Sequence, residues 1–137
     1  MANPAGTILA LDVGEARIGL ALAHMPARLA LPYMTLVNGP DITSKLRQVC
    51  AQEDVTHLVI GLPRGLNGQD TEQTAKAKSF GERLRRDVGL PITWQDEAVT
   101  SIHAEDELRA RGKAYNKGDI DALAATYILE DFLRENV

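Results

Sequence analysis

Two apolar runs stand almost back to back at the start of the chain, and they limit the folds it can adopt more than any other feature. Thr7 to Asp12, with Ile8-Leu9-Ala10-Leu11 between Gly6 and Gly14, has the length and composition of a buried strand, and Arg17 to His24 repeats the pattern after a tight turn. Such a pair is a hairpin. Leu31 to Val37 adds a third strand, although Pro32 cannot donate to a ladder and so belongs at the strand start or on a sheet edge; Asn38-Gly39-Pro40 then breaks the run. Beyond this point strands alternate with helices.

Asp41 is placed to cap a helix whose apolar positions Ile42, Leu46, Val49 and Cys50 recur at helical spacing until Glu53. Thr56 to Gly61, with His57-Leu58-Val59-Ile60, is a short run of the kind found in parallel strands covered on both faces. After a loop from Leu62 to Asp70, Thr71 caps a long, polar outer helix through Glu72 to Val88. Glu72 suits its first turn, Arg83, Arg85 and Arg86 suit its end, and Gly89 stops it. Pro91 to Gln95 is a strand leading into Asp96-Glu97, and Thr100 or Ser101 begins a helix reaching about Arg111. Gly112 to Gly118 is a basic, turn-rich loop. The last helix starts near Asp119 and runs toward Glu135, with Ile120, Leu123, Ala124, Tyr127, Ile128 and Phe132 as one apolar stripe. Consecutive strands followed by alternating strands and helices predict an α/β mixed sheet flanked by helices on both faces.

The 137 residues suit one compact domain spanning the whole chain, 1-137, and 45% hydrophobic with 25% charged residues are ordinary globular values that argue against disorder. Cys50 has no partner for an intramolecular disulfide and reads as a buried structural thiol. With no basic leader and no long uncharged apolar run, the expectation is a cytoplasmic protein without a membrane. A net charge of -4 and a pI near 5.3 speak against a generic nucleic-acid binder, since phosphate contacts come from Lys and Arg. That weight falls if the acids gather around a cation, which reverses the local sign.

Three acids are placed for such gathering. Asp12 ends the first strand and Glu97 ends the last, and strand carboxyl ends line the functional crevice of open α/β sheets. Asp121, in the first turn of the last helix, lies beside the stripe that packs on the sheet. Carboxylates crowded together raise one another's pKa and persist chiefly where a cation neutralises them, so Mg²⁺ or Mn²⁺ is the natural cofactor. Two such ions about 4 Å apart activate a water and stabilise the leaving oxygen in phosphodiester cleavage. The alternative is that Asp12 caps a turn, Asp121 favours a helix start and Glu97 is solvated. Arg17, just after the Gly14 turn, could grip a phosphate or form an ion pair with an exposed acid. Arg109, Arg111, Lys113 and Lys117 could track a nucleic-acid backbone or simply be solvated. Tyr115 is a better candidate than Trp94 for stacking on unpaired bases, because Trp94 falls inside a strand. His24, His57 and His103 share no zinc spacing with one another or with Cys50, and Gly65-Leu66-Asn67-Gly68 lacks a P-loop ending.

The segments Leu11-Asp12-Val13-Gly14-Glu15-Ala16-Arg17-Ile18-Gly19-Leu20-Ala21, Val59-Ile60-Gly61-Leu62-Pro63 with Asn67-Gly68, Trp94-Gln95-Asp96-Glu97 with Thr100, and Ile120-Asp121-Ala122-Leu123-Ala124-Ala125 with Ile128-Leu129 follow one another in order. In these the chain resembles the YqgF/RuvX family of Holliday-junction-resolvase-like proteins, in the ribonuclease H-like superfamily, from about Ile8 to Leu133. The resemblance implies a ribonuclease H-like mixed sheet, a divalent-metal-dependent endonuclease with Asp12, Glu97 and Asp121 as catalytic and metal-binding residues, and processing of the 5′ end of precursor 16S rRNA. Resolution of four-way DNA junctions, which would suit a homodimer, is the older family reading. Two departures stand out. Ala98 replaces a common Arg after the acid, and Arg64 stands where an apolar residue is frequent, so Arg64 joins Arg17, Lys113 and Lys117 as a candidate nucleic-acid contact. Two other classes stay open: a non-catalytic nucleic-acid-binding factor, and an actin-like ATPase, against which the single-domain length argues.

Overall fold

The computed structural model describes residues 6–97, 106, 107, 109, 110, 112 and 116–136. The strands are β1 (Thr7–Val13), β2 (Arg17–His24), β3 (Leu31–Val37), β4 (Val55–Pro63) and β5 (Ile92–Glu97), and the helices with defined bounds are α1 (Ile42–Gln52), α2 (Glu72–Val88) and α3 (Lys117–Asn136). The strands form one sheet in the order β3-β2-β1-β4-β5. β1 with β2 and β2 with β3 are antiparallel, while β1 with β4 and β4 with β5 are parallel. This is the mixed sheet that the order of apolar runs demands. β3 is an edge strand, as Pro32 requires, and the β2–β3 register slips between Leu20 and Ala21 beside that proline.

Alternation along the strands sends side chains to two cores. Leu9, Leu11, Leu20, Leu58 and Ile60 meet Ile42 and Leu46 of α1 and Phe80 and Leu84 of α2 on one face. Ile8, Ala10, Ala21 and Val59 meet Ala125, Ile128, Leu129, Phe132 and Leu133 of α3 on the other. Helices therefore cover both faces. Cys50 is buried in the first core, and burial pushes its thiol up to about 11, which leaves it a structural group.

Local chemistry explains most element ends. Thr71 and Thr74 form a reciprocal capping box at the start of α2, and Gly89 closes it in the left-handed conformation, as its sequence predicts. Asp41 does not behave as expected: it occupies the cap position of α1 without a side-chain cap bond and pairs with Lys45 at 3.5 Å instead. α3 begins at Lys117, two residues before the expected start, because Asn116 and Asp119 exchange side-chain-to-backbone bonds of 2.8 and 3.0 Å. Asp121 consequently sits in the second turn rather than the first. The sheet-facing surface of α3 also differs from the expected stripe. Ala125, Leu129 and Leu133 join Ile128 and Phe132 on the sheet, while Leu123 and Ala124, with Ile120 and Tyr127, form a separate cluster. Among the described residues no helix is long and apolar enough to cross a membrane.

Candidate active site

The carboxyl ends of β1, β4 and β5 lie along one edge of the sheet, and α3 crosses the same face obliquely. Its start packs on β2 and β3, where Gly118 O accepts from Thr35 Oγ1 at 2.7 Å, and its end reaches β5, where Gln95 Nε2 donates to Glu135 at 2.8 Å. Glycine makes the close approach at the start possible, because a Cβ on Gly19 would collide with the Asp121 carbonyl. The oblique crossing puts acids of α3 against both ends of the strand edge.

At the first end, Asp12 projects to the α3 face next to Asp121. Burial, followed by the charge of Asp121, raises the Asp12 carboxyl from 3.8 to about 7. Arg17, the first residue of β2, donates from Nε to Asp121 Oδ2 at 2.6 Å. The turn that delivers Arg17 is fixed: Gly14 N donates to Arg17 O at 2.9 Å, Asn38 Nδ2 donates to Gly14 O at 2.8 Å, and a Cβ on Gly14 would overlap Arg17 O. Arg17 forms an ion pair, as one of its two sequence roles anticipates, but its partner is the largely buried Asp121 of the site itself rather than an exposed acid.

At the second end, Glu97 closes β5 and also faces α3. Its carboxyl is raised from 4.5 to about 9, first by burial and then by a hydrogen bond with Asp131 and the charges of Asp131 and Glu135, which Arg134 partly offsets. Glu97 Oε1 is buried and has no hydrogen-bond partner among the described residues. An orphaned buried carboxyl oxygen is costly and marks a place for a proton or a cation. The sequence pattern does not reach Asp131 or Glu135; the one signal it offers is that acids in the last two turns of a helix oppose its dipole.

The structure thus brings Asp12 and Asp121 together and draws Glu97 toward Asp131 instead. Among the described residues no group of three or more His, Cys, Asp or Glu side chains is assembled to hold a metal ion. The chemistry of the donors nevertheless fits a divalent cation. Asp12 is desolvated beside a second carboxylate, Glu97 carries an unsatisfied oxygen, and both offer the hard oxygen ligands that Mg²⁺ and Mn²⁺ take.

The other candidates fare unevenly. Arg64 is engaged by Asp70 and by Asp96, the latter at 2.9 Å, and its guanidinium is charge-balanced rather than presented to a phosphate. Lys117 is exposed at the first position of α3, near Asp121. Trp94 packs against Gly81 of α2 at the edge of the core, consistent with its reading as a core residue. Lys113 lies outside the described residues, as do Arg111, Tyr115 and the expected helix caps Thr100 and Ser101.

Residues 6–135 match the model of the RuvX family, described as Holliday junction resolvase. A "Putative pre-16S rRNA nuclease" of Maridesulfovibrio salexigens is 38% identical over 130 residues, covering 92% of this chain and 96% of that protein. One of Chloroflexus aggregans with the same description is 37% identical, covering 93% and 92%. Among solved structures, Thermus thermophilus RuvC in complex with a Holliday junction substrate superposes with a TM-score of 0.55 at 14% identity, covering 95% of this chain and 96% of that one. The same organism's RuvC in a second structure gives 0.56 at 13% identity, covering 94% and 96%. These superpositions show that the fold is ribonuclease H-like.

Proposed function

Because the chain belongs to the RuvX family, we propose that it is a divalent-metal-dependent endonuclease that hydrolyses phosphodiester bonds in structured nucleic acid. The observation that carries this reading is the Asp12–Asp121 carboxylate pair at the end of the central strand, desolvated enough to raise Asp12 to about 7. Asp12 and Asp121 would hold Mg²⁺ or Mn²⁺, with Glu97 supplying the third carboxylate. Such a cation, when bound, lowers the pKa of water and neutralises charge developing on phosphate. The remaining work falls to the chain's own groups. Arg17 fixes the orientation of Asp121 through its 2.6 Å bond. Lys117, exposed at the first position of α3, offers a cation to the phosphate backbone. The closure of Gly19 against Asp121 holds the helix close to the sheet, so the carboxylates do not drift apart.

The preferred substrate is precursor 16S rRNA, supported by the description of the relatives at 37–38% identity, with its 5′ end as the site of processing, and a cytoplasmic location follows from that substrate. Cleavage of four-way DNA is the second reading, supported by the description of the family model, and it would call for a homodimer that presents two sites with two-fold symmetry. The test is to incubate wild type and Asp12→Asn with Mn²⁺ and labelled precursor rRNA, single-stranded RNA and four-way DNA, with and without chelator. Cleavage by wild type alone, abolished by chelator, supports the nuclease and identifies its substrate. Binding without cleavage on every substrate would replace it with a non-catalytic factor, to which the net charge of -4 and the engaged Arg64 would then point.

A further inference from the structure

The β1–β2 turn and α2 enclose a groove of about 460 Å³ on the face of the sheet opposite α3. Val13, Ala75 and Phe80 make its apolar part, and Gln73 and Ser79 bring hydrogen-bonding groups to its wall. Its charges balance. Glu15 and Glu72 stand against Lys76 and Arg83, Lys76 bonds to both acids, and the Arg83 guanidinium lies 5.9 Å over the Phe80 ring. A concave, mainly apolar site with a few convergent polar groups and no net charge suits one small planar group with hydrogen-bonding edges. A phosphate would meet Glu15 and Glu72 and gain nothing from Lys76, which those acids already neutralise.

Position links this groove to the carboxylates. Val13 follows Asp12 on β1, and successive strand residues point to opposite faces, so groove and acid pair are the two sides of one strand end. Gly14 and Glu15, which line the groove, continue into Arg17, which holds Asp121. A single nucleic-acid strand with a phosphate at Asp12, running over the sheet edge, brings a neighbouring base to the groove. A base in continuous duplex is disfavoured here, because its hydrogen-bonding edge is already occupied by its partner.

We infer that this groove receives an unpaired nucleobase of the substrate strand next to the phosphate at Asp12, with its plane on Val13, Ala75 and the Arg83 guanidinium that lies over the buried Phe80 ring, and its edge within reach of Gln73 and Ser79. The inference rests on the nuclease reading and adds to it that the substrate is unpaired beside the cut. The enzyme then selects loops, tails or the open arms of a branched molecule over continuous duplex.

The test uses short single-stranded RNAs, each with 2-aminopurine at one position, mixed with Asp12→Asn to prevent cleavage. A second protein adds Ser79→Phe, which fills the groove from an exposed position of α2 without removing any core packing; its thermal midpoint is measured alongside. The fluorescence should change at one or two adjacent positions only, and the added Phe should erase that signal and weaken binding about tenfold, the loss expected from one stacked base. Fully duplex RNA should bind both proteins equally. If no position responds, if no RNA binds, or if Ser79→Phe changes nothing, the inference is overturned. Mn²⁺-dependent cleavage by the wild type, measured separately, judges the nuclease reading. Cleavage with a silent probe leaves the nuclease standing without the groove, and a groove signal without cleavage does the reverse.

Discussion

Replacing Asp12 by Asn should stabilise the metal-free protein, and the size of the gain should depend on pH in a direction that the burial of this carboxyl dictates. Folding raises the group from 3.8 to about 7. Between those values the native state binds more protons than the unfolded chain, so stability from this group is complete below about pH 4 and is lost as pH rises toward 7. Three units at 1.36 kcal/mol each put the penalty at pH 8 on the order of 4 kcal/mol, an upper bound because a charged carboxylate recruits water. Asparagine keeps the shape and never ionises. Urea unfolding of both proteins should therefore give similar midpoints at pH 4, and at pH 8 a variant more stable by a few kcal/mol. Glu97, raised to about 9, titrates in both proteins, so the difference between them isolates Asp12. Repeating the pH 8 measurement with Mn²⁺ adds the second half. A cation bound only by the native state stabilises it by RT ln(1 + [L]/Kd), so wild type should recover stability that the variant does not. A variant less stable than wild type at pH 8 without metal, or differences that do not change with pH, would refute the reasoning.

Two further substitutions probe the supports of the site. Arg17→Gln should lower cleavage at least tenfold while costing about 1 kcal/mol or less in stability, because a half-exposed ion pair contributes little to folding but this one orients Asp121; a parallel urea titration and cleavage assay separates the two effects. Gly19→Ala should destabilise by about 1–3 kcal/mol and reduce cleavage, since the added methyl meets the Asp121 carbonyl and must push α3 off the sheet; unchanged activity in a folded variant would show that the approach of helix to sheet is not needed.

The sheet was legible from sequence because its signals are local. The two front runs, the turn at Gly14 and the edge placement of Pro32 each depend on a few neighbouring residues, and β2 and β3 have the bounds their apolar runs predict. Where distant contacts decide, legibility ends. β4 continues to Pro63, past the expected Gly61, because Leu62 and Pro63 find partners in Asp96 and Glu97 on β5. The apolar stripe that the sequence predicts for α3 is narrower than its buried surface, because the helix buries residues on more than one side, from Ala122 to Thr126 and again at Ile128, Leu129, Phe132 and Leu133, which blurs the helical period. Of the site, the pairing of Asp12 with Asp121 was visible as a strand end facing a helix start. The partnership of Glu97 with Asp131 was not, because it depends on the angle at which α3 crosses the sheet.

That angle also sets a requirement on the proposed three-carboxylate site. Asp121 and Asp131 are ten residues apart on one helix, roughly 15 Å along its axis, so Glu97 cannot serve Asp131 and join Asp121 at once. A Glu97 carboxyl at about 9 is protonated at neutral pH and donates to Asp131; to join Asp12 and Asp121 around a cation it must lose that proton and that partner. Asp131→Asn removes the negative charge that helps hold the proton, which lowers the pKa of Glu97, with burial still keeping it above 4.5. The deprotonated form then appears at lower pH, so the rising limb of cleavage against pH should move to lower pH in Asp131→Asn, with the plateau rate preserved if Asp131 acts only through Glu97. A limb that stays in place, or moves upward, would mean that Glu97 gains nothing from leaving Asp131, and that the separation of the two acidic pairs along α3 does not govern the reaction.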